Sequence, residues 1–207
     1  MPPKNVYVTC DDERIKKVCE QNGIQVLMTS RNCLTGTDRV AECINQVDAE
    51  VYINVQGDEP VFNPLDLKLI VSKALKHPSN ILNGVCEIDD ENLFRSNNMP
   101  KVVMRVDGRL LYASRGSIPM TKKCEYIKSW RQVCVYAFPK KSLQAFAEAK
   151  TKTPLEKIED IEILRFLELG WEVFMVPLSN KSLPVDTHED IPLVEKVIKN
   201  SPKMYEH

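Results

Sequence analysis

Apolar positions along the 207-residue chain change their period several times, and the changes delimit its elements. Residues 5–10 (Asn5-Val6-Tyr7-Val8-Thr9-Cys10) are rich in β-branched and aromatic side chains and predict a strand. Asp11 or Asp12 can cap the helix that follows. In it Ile15, Val18 and Cys19 recur at helical spacing until Asn22-Gly23 supplies a stop. Residues 24–28 predict a second short strand, and 29–37 a polar loop. Val40, Cys43, Ile44 and Val47 mark one apolar face of a further helix. Residues 51–55 form a nearly continuous apolar run, the pattern of a strand buried on both faces of a parallel sheet. This βαβ rhythm predicts an α/β sheet flanked by helices, with right-handed crossovers and ligands beyond the carboxyl ends of the strands. The loop beginning at Gln56 lies at that place.

The middle of the chain reads differently. Strands are predicted over 80–87 and 101–106, a hairpin turn at Val106-Asp107-Gly108-Arg109, and strands again over 110–113 and 132–138. The stretch 117–129, with Pro119 and several lysines, reads as a loop. The pattern predicts that 100–138 leaves the main sheet as a smaller β-rich arm within one domain spanning 1–207. Leu143 and Phe146 after Pro139 suggest a helix. Residues 154–169, opened by Pro154 and closed by Gly170, predict a single long one. A strand over 171–178 and a helix over 187–198 complete the chain.

Composition narrows the function classes. Lys plus Arg number 28 against 29 Asp plus Glu, a net charge of −1, which argues against a nucleic-acid binder or a polybasic membrane-surface protein. The longest apolar run, 133–138, is far too short to span a bilayer, and no signal peptide opens the chain. The seven cysteines contain no CxxC pair, so they read as free thiols in a reducing cytoplasm rather than as a zinc or redox motif.

Five constellations could carry chemistry. In Asn54-Val55-Gln56-Gly57-Asp58-Glu59-Pro60 a strand runs into a turn that presents Asp58 at its carboxyl end, either as an oxygen ligand for Mg²⁺ or as a plain turn exit. In Pro184-Val185-Asp186-Thr187-His188-Glu189-Asp190, Thr187 and Asp190 can form a capping box. That leaves Asp186 available to pair with Asp58 as a second metal carboxylate. The loop Thr35-Gly36-Thr37-Asp38-Arg39 offers backbone N–H groups and an arginine to an anion, or is simply capped by Thr37 or Asp38. Arg115, just after a strand, can grip a carboxylate or lie solvated on the surface. Within the acidic segment 154–165 most acids read as solvated surface on an amphipathic helix.

Taken together, TCDDE (9–13), TGTDR (35–39), NVQGDEP (54–60), LYASRGSIP (111–119), VCVYAF (133–138), PLEKIEDIEILRFLELG (154–170) and VDTHED (185–190) resemble the sugar-acid cytidylyltransferases of the 3-deoxy-manno-octulosonate (Kdo) type. The resemblance implies a Rossmann-like nucleotide-diphospho-sugar transferase sheet with a β-rich dimerisation arm, a cytoplasmic homodimer, and CTP and an acidic sugar as substrates. It implies Mg²⁺ held by Asp58 and Asp186, with Gln56 near both substrates as a third catalytic position. Thr35, Gly36, Thr37, Asp38 and Arg39 would lie around the cytidine, and Arg115, Gln132, Tyr136 and Glu162 in the sugar pocket. Three departures stand out. The family's opening strand and ARxxSxRLPGKP phosphate loop are not in this sequence, so the nucleotide site is expected to be half built. The family's sugar-site histidine falls on Gln132, and a family glutamine on Ile163, which extends the expected substrate to relatives of Kdo. A non-catalytic binding module and a cytidylyltransferase for a sialic-type acid are the alternatives.

Overall fold

The structure, a computed structural model, describes residues 5–179, 185 and 187–200. A parallel pair, β1 (Tyr7–Cys10) and β2 (Gln25–Met28), is connected by α1 (Glu13–Gln21), whose cap is Asp12. The chain continues through α2 (Gly36–Glu42) and a 3₁₀ turn at Cys43–Asn45 into β3 (Val51–Val55). Next come α3 (Pro64–Lys76), β4 (Ile81–Ile88), α4 (Glu91–Arg95), β5 (Lys101–Met104) and β6 (Leu110–Ser114). The remainder is β7 (Ser129–Pro139), α5 (Lys140–Glu148), α6 (Pro154–Glu159), α7 (Ile163–Glu168), β8 (Val173–Pro177) and α8 (Asp190–Asn200).

Two expectations change here. The middle strands do not leave the main sheet: β6-β5-β7-β4-β8 is its order, and β3 also pairs with β7. Of the stretch 100–138, β5 and β6 form an edge hairpin, while β7 is the strand on which β3, β4 and β5 all converge. The helix α3 was not foreseen, although Asn63 caps it, Pro64 opens it, and Ile70 and Ala74 bury one side of it four residues apart.

Alternation along β7 builds two layers on the sheet. Val133, Val135 and Ala137 cluster with Ile70 and Ala74 of α3 and Val176 of β8. Tyr136 and Phe138 face the other way, where Phe138 and Phe166 stack at 5.3 Å and Phe146 meets Phe166 at 4.7 Å. Ile163, fully buried, belongs to this core. Helices thus cover both faces of the sheet, the mixed α/β architecture that was expected.

The predicted helix over 154–169 is two helices. Asp160 adopts φ 52°, a left-handed conformation that ends α6, and α7 begins only at Ile163. Arg165 holds the break: its Nε and Nη2 reach the Glu156 carboxylate, each at 2.6 Å, and its Nη1 reaches Asp38 at 2.7 Å. Its guanidinium also lies 3.7 Å from the Phe146 ring centroid. These contacts outweigh local helix propensity and turn the residue at the break, Glu162, toward the site.

Candidate active site

β3 and β5 pair with the same edge of β7 but at opposite ends of it. Val55 lies opposite Val135, and Lys101 opposite Arg131. Just beyond these pairs the Gln56 N–H donates to the Cys134 carbonyl and the Gln132 N–H to the Pro100 carbonyl. The sheet therefore opens over Gln132–Cys134, and a cavity of about 860 Å³ occupies the opening. Gln132, Cys134 and Tyr136 alternate onto its face, joined by Gln56, Asp58 and Glu162 from neighbouring loops.

Glu162 is the hub of the polar side of this cavity. Its Oε1 accepts from Gln56 Nε2 at 2.7 Å and its Oε2 from the Thr37 N–H at 2.9 Å. Desolvation raises its pKa above the ordinary glutamate value, and the Thr37 N–H works against that rise. Burial also drives the Tyr136 phenol well above its usual value, so it is a protonated hydroxyl shared with Cys134, Glu162 and Gln132. Gly36 permits the close packing of Gln56: a Cβ there would stand 3.0 Å from Gln56 Nε2.

Asp58 is exposed at the cavity, and its carbonyl accepts from the Val185 N–H at 2.8 Å. This bond brings the start of the VDTHED segment to the strand exit, and Thr187 and Asp190 line the same cavity. Asp190 accepts from the Thr187 N–H at 2.7 Å and from its hydroxyl at 3.0 Å, the anticipated capping pair. Asp186, the expected second metal carboxylate, lies outside the described residues. Among the described residues no three His, Cys, Asp or Glu side chains converge on one point.

The loop 35–39 is arranged otherwise than the sequence suggested. Thr35 lines the cavity and is itself the cap of α2, taking the Asp38 N–H at 3.2 Å. Gly36, Thr37, Asp38 and Arg39 make the first turn of that helix and do not line the cavity. Asp38 is drawn inward to Arg165, while Arg39 binds Asp11 at 2.9 Å and the Thr29 hydroxyl at 2.6 Å. Arg115 does line the cavity, but its guanidinium donates to main-chain carbonyls of Glu159 (2.7 Å), Asp160 (3.0 Å) and Asn97 (3.1 Å). In this arrangement it braces the wall.

Three contributors were not selected from the sequence. Glu59 is buried and its Oε1 accepts from the Cys134 N–H at 3.2 Å, fixing the turn after β3 to the floor. Lys101, fully buried, donates to the carbonyls of Ser96 (2.7 Å) and Arg115 (2.6 Å) and ties two wall loops together. Burial lowers its pKa. Cys134 could have been found from the strand period alone, since it falls between Gln132 and Tyr136.

Comparison with solved structures defines the class. The chain superposes on the CTP complex of CMP:2-keto-3-deoxy-manno-octonic acid synthetase with a TM-score of 0.87 and 26% identity, over 95% of this chain and 81% of that one. The inositol-1-phosphate CTP transferase of T. maritima (TM-score 0.60, 19% identity, 97% of this chain and 76% of that one) shares the fold. The fold is that of a nucleotidyltransferase. The profile of the cytidylyltransferase family matches residues 3–182, and the chain belongs to that family. Among similar curated proteins, the 8-amino-3,8-dideoxy-manno-octulosonate cytidylyltransferase of Shewanella halifaxensis (strain HAW-EB4) is 36% identical, over 93% of this chain and 80% of its own length. The 3-deoxy-manno-octulosonate cytidylyltransferase of Acidobacterium capsulatum is 31% identical, over 94% and 79%. No helix among the described residues is long and apolar enough to cross a membrane.

Proposed function

We propose that the protein transfers CMP from CTP to the anomeric hydroxyl of a 2-keto-3-deoxy sugar acid of the Kdo type, releasing pyrophosphate. The observation that carries this reading is the convergence of Gln56, Asp58, Gln132, Tyr136 and Glu162 on one cavity in the opening of the sheet. Side chains from three separate motifs meet there, in a chain whose family and relatives are cytidylyltransferases.

Hydroxyls of the sugar acid find donors and acceptors in Tyr136, Glu162 and Gln132. Gln56, clamped to Glu162, stands between this subsite and the strand exit. Asp58 with Asp186 would hold Mg²⁺, since carboxylate oxygens are the hard donors that this cation takes. Mg²⁺ would neutralise triphosphate charge next to these acidic side chains. Tyr136 is buried with its phenol protonated, and the Glu162 carboxylate is committed to Gln56 and the Thr37 N–H, so neither is placed as the attacking group. Direct in-line attack by the sugar hydroxyl is the step that fits. The same reading places the protein in the cytoplasm as a homodimer.

The test is pyrophosphate release by the purified protein with CTP, Mg²⁺ and either Kdo or its 8-amino analogue. Formation of a CMP-sugar supports the reading. Absence of product with both sugars, with CTP bound normally, favours the non-catalytic alternative. Preference for UTP or GTP removes the cytidylyl assignment, and product with sialic-type acids alone moves the substrate class.

A further inference from the structure

Where β4 pairs with β7 the register steps from Asn83 opposite Tyr136 to Gly84 opposite Val133, so β7 carries two extra residues at that point. The fully buried Asn83 side chain closes this bulge. Its Nδ2 donates to the carbonyls of Val133 at 2.9 Å and Val135 at 3.0 Å. Gly84 keeps the strands close enough for this, because a Cβ there would lie 2.6 Å from Leu178 Cδ1 and 2.8 Å from Val135 Cγ1. With both amide protons committed, Asn83 can offer only Oδ1 to its next neighbour. That oxygen takes Gln132 Nε2 at 2.8 Å, and the same nitrogen reaches the Tyr136 hydroxyl at 3.4 Å. Turning the Gln132 amide over would set oxygen against oxygen at hydrogen-bond distance. Its orientation is therefore settled by β7 itself, through Asn83.

Gln132 is 7% exposed and lines the cavity, and its Oε1 accepts no hydrogen bond among the described residues. Building on the sugar-acid reading above, we infer that Asn83 is a positioning residue that locks Gln132 as a hydrogen-bond acceptor, so that this subsite selects a substrate bearing a donor, hydroxyl or ammonium, at the contacting carbon. A deoxy carbon, a ketone or a carboxylate there would leave Oε1 desolvated and unpaired. The polarity also explains which replacements would work. A neutral imidazole at position 132 can donate one N–H to Asn83 Oδ1 and turn its other nitrogen to the substrate as an acceptor. An imidazolium cannot, because both of its nitrogens carry protons.

The experiment compares wild type, Gln132→Met, Gln132→His and Asn83→Ala in steady-state kinetics with CTP and either Kdo or its 8-amino analogue. It adds hydrogen exchange of the Gln132 side-chain amide by NMR in the ligand-free protein. Gln132→Met should raise the KM for the sugar acid about ten-fold, with kcat and the KM for CTP within about two-fold. Gln132→His should restore the sugar KM near pH 8, and below the imidazole range at about 6.5 it should lose it about ten-fold for a substrate with an ammonium at the contacting carbon, which cannot accept from an imidazolium, whereas a hydroxyl there can. The Gln132 amide should exchange slowly in wild type and quickly in Asn83→Ala. An unchanged sugar KM in Gln132→Met, or a histidine variant that does not restore it near pH 8, overturns the selection. Fast exchange in wild type overturns the lock. Should Asn83→Ala not fold, the two Gln132 variants and the wild-type exchange rate still decide. Failure of wild type to use any sugar acid refutes the sugar-acid reading and the selection with it, while the exchange measurement still judges the lock by itself.

Discussion

Asp58 and Glu159 show how differently two carboxylates act in one short sequence. Asp58 is exposed at the end of β3, where it lines the cavity. If Asp58 holds Mg²⁺ as proposed, Asp58→Asn is expected to lower kcat at least about a hundred-fold, because an amide is a poor ligand for Mg²⁺ beside a triphosphate. Thermal unfolding should be unchanged, and retained turnover would remove Asp58 from the metal site. Glu159 does structural work: its carboxylate accepts from Ser114 Oγ (2.8 Å), the Arg115 N–H (2.9 Å) and Tyr112 Oη (3.2 Å). Desolvation alone would raise its pKa, but these donors bring it below the usual value. A depressed folded pKa contributes stability that is present above the unfolded value of about 4.3 and is lost as pH falls through the folded one. Glu159→Gln should therefore cost about 1 kcal/mol at neutral pH. Denaturant midpoints measured across pH should show the two proteins converging in acid; a constant difference at every pH would reject this account.

At the scale of elements, the break between α6 and α7 does most to shape the cavity. A continuous helix over 154–169 would satisfy its own backbone, yet the chain gives up that ladder at Asp160. Tertiary contacts compensate: Arg165 clamps Glu156 and Asp38, and Arg115 takes the Glu159 and Asp160 carbonyls. Asp38 and Arg39 are spent on this scaffold and on Asp11, which is why the loop that reads as an anion cradle presents only Thr35 to the cavity. Arg165 and Glu156 are both fully buried, so Arg165→Met leaves a carboxylate in the interior without its partner. A loss of about 3–5 kcal/mol is expected from urea unfolding. Restoration by the double variant Arg165→Met/Glu156→Leu would show that the unpaired charge is the cause. An Arg165→Met protein as stable as wild type would show that Phe146 packing alone holds the break.

Across the whole molecule, β7 organises both stability and site. Its odd positions pack on α3. Its even positions run from the aromatic core at Phe138 to the open polar floor at Gln132. The opening exists because β3 and β5 take opposite ends of one strand edge and leave its middle unpaired. Acidic side chains from the exit of β3 and from the break before α7 then face one cavity. If Mg²⁺ is bound there, chelation with EDTA should abolish pyrophosphate release and Mg²⁺ should restore it, with the folded state unaffected. Turnover persisting in EDTA would exclude the metal from the reaction.

Much of this was legible in the residues alone. Local periodicity and capping chemistry marked most of the strands and several helices, because they depend on which side chains meet water; α3, α4 and the break between α6 and α7 were missed. The strand exit marked Asp58, and the family resemblance added Gln56, Tyr136 and Glu162, because those positions match whole motif strings rather than a local physical pattern. The roles of Asn83, Lys101 and Arg165, the inward turn of Asp38, and the central place of β7 left no such marks. Each depends on partners distant in sequence: Asn83 on carbonyls 50 and 52 residues away, and Asp38 on an arginine 127 residues away. The sequence by itself determined which groups could do chemistry. Only the tertiary structure decided which of them face the cavity and which hold it open, because burial, hydrogen-bond polarity and the direction of a side chain arise when distant strands meet.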